Sequence, residues 1–576
     1  MGMNKWLASS MSLLVLACGG AAVAQSVPSP GQLAPRTGPP VQAPTPGTIT
    51  IPEASPAAAP PGADRVEVTV GQIQVDGGYL PLDADTAAAV AGVTGKRVAV
   101  SRLYEVAAAI ERYYASQGHF LTRVVIPPQQ VRDGQTLRLQ IVEGFIEQVD
   151  VAQLPGAVRD RISRVLAGLV GERRLKLGVL ERKLLLAGDT PGTALRSTIT
   201  PGGREGGVKL VVTAEHRPVT AELSVDNGYS KPFGRTVIST SAAINSVFGF
   251  GEQFYANVAG PPGKGWIAGG SARRLGAVGT LIPLGDDGLV LNVEGTWSTT
   301  RPRLPAGSLA TESDYARYSV RFIYPLIRSR TENLTPRLTF DVINETQKAP
   351  EFGATLYEDR IRPLRIGATW TRSFDTDTTV SLGGDFSQGL PIFGSRGRRD
   401  ATLDKPISRA FADDDFSKME INARVVQRLP ASFALDASFY GQYAFGGSLI
   451  NAEQFTLGGP RRLSGYDVAT FAGDSGWLAR LELQYADAFN LTPLRGLVVP
   501  YLFAARGKVY VDKPTALERS SVGATSLGVG LRTNLAGIEP VGRDVEFQVE
   551  VARQYTDRGA SHRDKWRVYI AGTLRF

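Results

Sequence analysis

Cysteine is all but missing from this 576-residue chain. The single one, Cys18, lies in an apolar N-terminal stretch that reads as a removable export signal, so the mature chain is expected to hold no thiol. That excludes disulfides, thiolate metal sites and cysteine nucleophiles together. Histidine is nearly as scarce: His119, His216 and His562 are widely separated, and His216 reads as a junction residue beside Arg217. No run of eighteen apolar residues follows the signal, which argues against membrane-spanning helices but not against strands, whose hydrophobicity is hidden by alternation. The motifs G-x-S-x-G, H-E-x-x-H and G-x-x-x-x-G-K-[ST] are all absent, so hydrolase, zincin and P-loop readings have nothing to stand on. Gly260-Pro261-Pro262-Gly263-Lys264-Gly265 has proline where a phosphate cradle must be flexible and reads as an exterior turn. Asp413-Asp414-Asp415 lacks glycine-spaced oxygen ligands and reads as a solvated loop rather than a calcium site. No catalytic, cofactor or metal residue is therefore expected, and the chain is not read as an enzyme. The net charge of +8 comes without a basic stripe interleaved with aromatics, so nucleic acid is not expected as a partner.

What the chain does have is a period of two. In the last twelve residues Trp566, Val568, Ile570, Leu574 and Phe576 fall on one face, and Arg567, Tyr569, Thr573 and Arg575 on the other. Leu289, Leu291, Val293 and Trp297 alternate with Asn292, Glu294, Thr296 and Ser298. Trp477, Ala479, Leu481, Leu483 and Tyr485 alternate with Arg480, Glu482 and Gln484, and Val545 to Val551 repeats the pattern. From residue 216 onward there are about sixteen such segments of roughly ten residues, the length a tilted strand needs to cross a bilayer. The expectation is an all-β transmembrane barrel of about sixteen antiparallel strands, oily outside and polar within, over residues 216–576. Tight turns (Gly285 to Gly288, Pro430-Ala431) and long gaps (391–416, 445–475) alternate along it. With the final strand ending at the periplasmic rim, parity puts the long loops outside the cell.

Ahead of the barrel, residues 1–24 read as a signal peptide with Ala22-Val23-Ala24 before the cut, although Val15-Leu16-Ala17-Cys18 loosely resembles a lipoprotein box. Residues 25–64 are rich in proline and alanine, and proline fixes φ and lacks a donor, so an extended periplasmic tether is expected there. Residues 65–150 read as a small α+β unit of order β-α-α-β-β, and residues 151–215 repeat it more briefly, an internal duplication.

Three stretches resemble the outer-membrane transporters of two-partner secretion, the FhaC/ShlB type within the BamA-like superfamily. The first runs from Tyr113 and Tyr114 through Gly118, Arg123, Pro127, Pro128 and Gln129 to Asp133-Gly134 and Glu143-Gly144, and is similar to that family's first periplasmic POTRA domain. The second, Gly188 to Gly192 with Gly206 to Val212, resembles the second POTRA domain and leads into Asp226-Asn227-Gly228-Tyr229 at the barrel's opening strand. The third, Arg461-Arg462-Leu463-Ser464-Gly465-Tyr466, resembles the tip of the family's sixth extracellular loop, which folds back into the lumen. The terminal Phe576 matches the assembly signal of such barrels. The resemblance implies α+β POTRA domains in the periplasm below a barrel in the outer membrane of a Gram-negative bacterium. It also implies a secreted exoprotein with an N-terminal secretion domain as partner, contacts with outer-membrane lipid, and the barrel-assembly machinery during biogenesis. The POTRA edge strands would capture the unfolded passenger by strand addition and the pore would pass it outward, with haemolysin-type secretion and activation as the family's named role. The alternatives are an assembly factor of the BamA type and a passive porin.

Two departures stand out. The family's loop tip carries an arginine that meets an aspartate on the barrel wall, whereas here the two positions are Ser464 and Ala505. Losing both together leaves no unpaired charge, so the loop is expected to tuck inward still, held by Tyr466, Arg461 or Arg462 with another acidic wall residue. The family often places an N-terminal helix through the pore, and residues 26–63 look too proline-rich for a conventional helix, leaving an extended segment as the form a plug would take.

Overall fold

The computed structural model describes residues 28–34, 48–50, 59–130, 132–263, 270–375, 377–491, 494–516, 518–538, 542–557 and 565–576. The signal segment lies outside the described residues. The first α+β unit packs helices Ala84–Ala91 and Val100–Ser116 on a sheet of Gln72–Asp76, Thr136–Val142 and Arg123–Val125, with a short ribbon of Glu67–Thr69 and Arg97–Ala99. Leu103, Val106, Ala107, Ile110 and Tyr114 fall on one face of the longer helix and meet Val70, Leu137 and Leu139 of the strands. That is the packing its i, i+3, i+4 spacing calls for.

The second unit begins earlier than position 151. Phe145–Asp150 runs parallel to Gly207–His216, so this strand belongs to the second sheet and the junction falls at Gly144. A Cβ on Gly144 would collide with the carbonyl of Leu121, which is why the crossing between sheets is made at a glycine. Helices Gly156–Ala167 and Leu177–Gly188 bury Ile162, Leu166, Leu180 and Leu184 against Ile146, Leu210 and Val212.

Sixteen strands close the barrel once interrupted ones are joined: Pro363–Phe374 continues Ala354–Ile361, Asp487–Leu491 continues Ser475–Tyr485, and Ile327–Arg328 continues Glu312–Ile323. Closure is made by Trp566–Arg575 against Val219–Asp226 over the five pairs from Glu222↔Arg575 to Asp226↔Ala571. Phe576 donates its amide to the Ala221 carbonyl at 3.0 Å, extending that seam. The alternation resolves as anticipated: Trp297, Leu481 and Val568 are exposed on the outer wall, while Asn292, Glu294, Arg480, Glu482 and Glu550 face inward.

The inward side chains are buried rather than lining an open wet passage, because the lumen is filled. The tip of loop 445–474 descends into it, residues 390–416 fold across its mouth, and residues 28–34 sit inside it. The last of these departs from the tether expectation. Pro30–Leu33 is one helical turn with a complete capping box, the Gln32 amide donating to Ser29 Oγ and the Ser29 amide to Gln32 Oε1. Proline is tolerated at the first helical position, where its missing N–H would be unpaired anyway. Four residues cannot hold a helix in water, so the barrel wall supplies what the sequence alone does not.

Candidate functional site: the occluded lumen

The plug turn is held at both ends. The Gly31 amide donates to Glu345 Oε2 at 3.1 Å, and Glu345 Oε1 accepts from the Tyr357 hydroxyl at 2.6 Å. At the other end Arg273, 1 % exposed, donates from Nη2 to the Leu33 carbonyl at 3.2 Å and lies 4.1 Å from the centre of the Tyr229 ring. A carboxylate at the amino end and a guanidinium at the carboxyl end match the polarity of the turn's unpaired amides and carbonyls. Leu33 packs with Phe233 and Ala469, and Ala34 with Tyr315 and Ile361. A Cβ on Gly31 would overlap Glu345 and Ala452, so only glycine fits there.

Loop 6 enters beside the plug. Phe455–Leu457 and Phe471–Gly473 form its hairpin stem, and Leu463 and Tyr466 are buried with Leu478, Ala505 and Val509 of the wall. The tip residues spread over several anchors. The Gly465 amide donates to Ser526 Oγ at 2.9 Å, its carbonyl accepts from Gln554, and Tyr466 Oη pairs with Thr556 Oγ1 at 2.9 Å. Arg461 donates to Gln548 at 3.1 Å and pairs with Glu546. Arg462 lies over the rings of Tyr440 and Phe455 at 4.9 and 5.5 Å.

The central contact was not foreseen from the loop residues. Arg480, on the wall, donates from Nη1 to Ser464 Oγ at 2.7 Å, from Nη2 to Glu550 at 2.9 Å and from Nε to Glu482 at 2.7 Å. Its guanidinium sits 3.9 Å from the centre of the Phe503 ring. Arg532 completes the group with 2.8 Å to Glu482 and a stack over Tyr501. Arg480 is the cross-strand partner of Ala505. The lock has thus changed polarity: the cation stands on the wall one strand from the position where an aspartate was expected, and the loop offers a neutral hydroxyl. Two arginines and two carboxylates balance without any charge from the loop. The inward-facing Arg567 and Arg575 are likewise engaged, Arg567 with Asp467 at 2.8 Å and Arg575 with Glu222 at 3.0 Å.

The first-unit signature builds the fold rather than a surface. Tyr114 Oη accepts from the Tyr79 and Leu80 amides at 3.1 Å each, and Gly118 ends the long helix with φ +89°. Arg123 donates to the Phe120 and Thr122 carbonyls. Gln129, after Pro127 and Pro128, bonds both the amide and the carbonyl of Arg138, standing in for a strand neighbour. Asp133 accepts from the Thr69 amide at 2.7 Å, and Gly134 turns with φ +78°. Glu143 reaches across to Arg174 at 2.8 Å and ties the two units together. Glu111 accepts from the Val124 amide at 2.8 Å, and burial lifts its carboxyl above the ordinary value of 4.5 against the opposing pull of that amide and Arg123.

The second unit is bolted to the periplasmic turns. Arg161, whose pKa burial lowers, donates to the Gly285 carbonyl at 2.6 Å and Asp286 at 2.9 Å; Arg182 donates to the Pro325 carbonyl at 2.7 Å. A hydrogen bond from Tyr324, with Arg182 and Lys183 nearby, holds Asp287 below the usual carboxylate range. Arg328 pairs with Asp189 at 2.7 Å and Arg330 with Glu181 at 3.1 Å. The outer edge of that unit's sheet, Thr193–Pro201, is covered by Thr48–Thr50 running parallel to it. Among the described residues no helix is long and apolar enough to cross a membrane, and no cluster of three or more potential metal ligands occurs.

Residues 206–533 match the family model described as haemolysin secretion/activation protein ShlB/FhaC/HecB, and residues 68–144 that of the ShlB-type POTRA domain. The chain is 23 % identical over 497 residues to the heme/hemopexin transporter protein HuxB of Haemophilus influenzae strain 86-028NP, covering 83 % of this chain and 81 % of that one. It is 24 % identical over 475 residues to the outer membrane transporter CdiB of Dickeya dadantii strain 3937, covering 80 % of each. The solved structure of CdiB from Escherichia coli superposes with a TM-score of 0.68 at 20 % identity, covering 93 % of this chain and 94 % of that one. CdiB from Acinetobacter baumannii gives 0.58 at 14 % identity, covering 88 % and 90 %.

Proposed function

The chain belongs to the haemolysin secretion/activation protein family of ShlB, FhaC and HecB, outer-membrane transporters of two-partner secretion, and from that premise we propose how this member holds and releases its pore. The resting state is closed by the plug turn and by loop 6 together. An exoprotein arriving unfolded in the periplasm meets the POTRA pair, which the arginine–aspartate clasps hold beneath the barrel mouth. Strand addition is the economical way to bind an unfolded chain, because main-chain hydrogen bonds make little demand on its sequence. The free edge suited to it in the second unit is already taken by Thr48–Thr50. A passenger strand that displaces this segment pulls on the same stretch of chain that ends in the plug turn, so capture and opening are coupled through one covalent tether.

The single observation that carries this reading is that one N-terminal segment both fills the lumen at residues 28–34 and covers the POTRA edge at residues 48–50. The chemistry of the passenger follows by analogy only: relatives are named for heme/hemopexin transport and as CdiB, and a large secreted repeat protein is the class of partner proposed here. The test is deletion of the chain followed by comparison of the proteins released to the medium. Loss of one or a few large exoproteins is expected. Depletion of many outer-membrane proteins from the envelope would point to an assembly factor, and an unchanged secretome to a passive pore.

A further inference from the structure

A bilayer-facing wall tolerates cations poorly, and near its edges they persist where something anionic meets them. The outward-facing positions of the five strands from Ser417–Arg428 to Ser521–Ile538 carry two cations among the described residues, Arg506 and Lys508, on adjacent outward sites of one strand. Arg506 is exposed and makes no ion pair with a described residue; Lys508 lies 5.1 Å from the centre of the Tyr510 ring. Lys508 is the cross-strand neighbour of Trp477, a ring of the kind that marks the headgroup level in such barrels. The strand end at Tyr510 lies on the side from which loop 6 enters, away from the turns that carry the POTRA pair, so these cations face the outer leaflet.

Directly below them the wall is hollowed. Ala479 opposes Arg506, Ala504 precedes it on the same face, and Ala437 and Ala423 continue the row of small side chains across two further strands. Phe439 and Leu481 stand as walls of a depression of about 510 Å³. A third outward cation, Arg553, lies two strands away on the far side, roughly 12 Å from Arg506 by strand spacing and rise, with its guanidinium 5.2 Å from the Tyr555 ring. The carboxylate of Asp557 lies over Gly523, across from Lys508, without an ion pair to either Arg506 or Lys508.

From this juxtaposition we infer that the outer wall around Ala479 and Arg506 is a binding site for a phosphate-bearing, multiply acylated lipid of the outer leaflet. An acyl chain lies in the alanine row, and a headgroup phosphate is held by Arg506 and Lys508. Charge complementarity selects this occupant over a second copy of the chain, whose identical basic face would repel it. The site is back to back with the lumenal lock, since Ala479 adjoins Arg480 and Arg506 adjoins Ala505.

The test uses the full chain in zwitterionic phospholipid nanodiscs titrated with bisphosphorylated lipid A, read by the heat-modifiability midpoint and by native mass spectrometry. Wild type is expected to gain thermal stability and to retain one lipid A. The Arg506→Gln/Lys508→Gln variant is expected to need at least tenfold more lipid for the same shift, and Ala479→Trp, which fills the groove and leaves the cations, to do likewise. Both changes face outward, and folding is verified by gel mobility before titration. Equal lipid dependence in wild type and both variants would overturn the assignment. So would an equal shift with dephosphorylated lipid A, a shift with inorganic phosphate alone, or a dimer of the chain in place of the lipid adduct.

Discussion

Replacing Arg480 by methionine removes a side chain that touches the loop tip and both lumenal carboxylates at once, and the structure separates what each loss is worth. The bond to Ser464 joins a charged donor to a neutral acceptor, worth about 1.5–3 kcal/mol. Glu482 keeps Arg532, and Glu550 keeps the Tyr501 hydroxyl at 2.6 Å and Gln548 at 2.9 Å, so neither carboxylate is left bare. Their net charge is nonetheless no longer balanced, and breaking a buried ion pair costs about 3–5 kcal/mol. Ser464→Ala removes the hydroxyl's half of the contact only: Arg480 Nη1 keeps the Arg462 carbonyl at 3.4 Å, so the loss is at most that one bond, about 1.5–3 kcal/mol. The two variants therefore differ in kind. Ser464→Ala loosens the loop while the barrel stays heat-stable; Arg480→Met loosens the loop and lowers the barrel's stability as well. Loop exposure is read by tryptic cleavage after Arg461 and Arg462, barrel stability by the temperature at which gel mobility changes, and the double mutant gives a coupling energy of about 1–2 kcal/mol. If Arg480→Met proves no more heat-labile than Ser464→Ala, or the two effects simply add, then Arg480 is not the lock.

Further outcomes follow from the same contacts. Ser464→Arg alone sets a second guanidinium against Arg480 and is expected to drive the loop out; combining it with Arg480→Ala and Ala505→Asp returns the charge to the loop and its partner to the wall, and tryptic protection should recover. Gly31→Val cannot seat its side chain beside Glu345 and Ala452, so single-channel recordings should show more frequent or larger openings, as should deletion of residues 28–34. Arg161→Asp should weaken docking of the second POTRA unit and lower secretion, and Asp286→Arg should restore it in part, measured as exoprotein in the medium. Burial raises the Glu111 carboxyl, so the folded first unit binds its proton more tightly than the unfolded chain does. The stabilisation this gives is complete below pH 4.5 and is lost as pH rises through the raised value, and Glu111→Gln should flatten that part of the unit's pH–stability curve.

Some of this was open to reading along the chain because its physics is local. Alternation of Trp477, Ala479 and Leu481 with Arg480 and Glu482 fixes which face meets lipid whatever the neighbours are, since the side-chain period of a strand is set by its own backbone. Turn residues such as Gly285 to Gly288 mark strand ends for the same reason. The junction between the two small units was misplaced by six residues because Phe145–Asp150 alternates equally well in either sheet; only its parallel pairing with Gly207–His216 assigns it. Proline content suggested an extended tether, yet Ser29 and Gln32 cap a turn that exists because Glu345 and Arg273, more than two hundred residues away, clamp its ends.

The sequence by itself determined the wall: its strand count, its two faces and the side of the membrane on which its loops lie, all consequences of a two-residue period repeated until the sheet could close. Which groups meet inside the wall was decided only by the tertiary structure. Arg480, Ser464 and Glu550 come together because barrel closure and loop descent bring three distant segments to one point, and a buried charge takes its partner from whatever lies within hydrogen-bond reach in space, not along the chain.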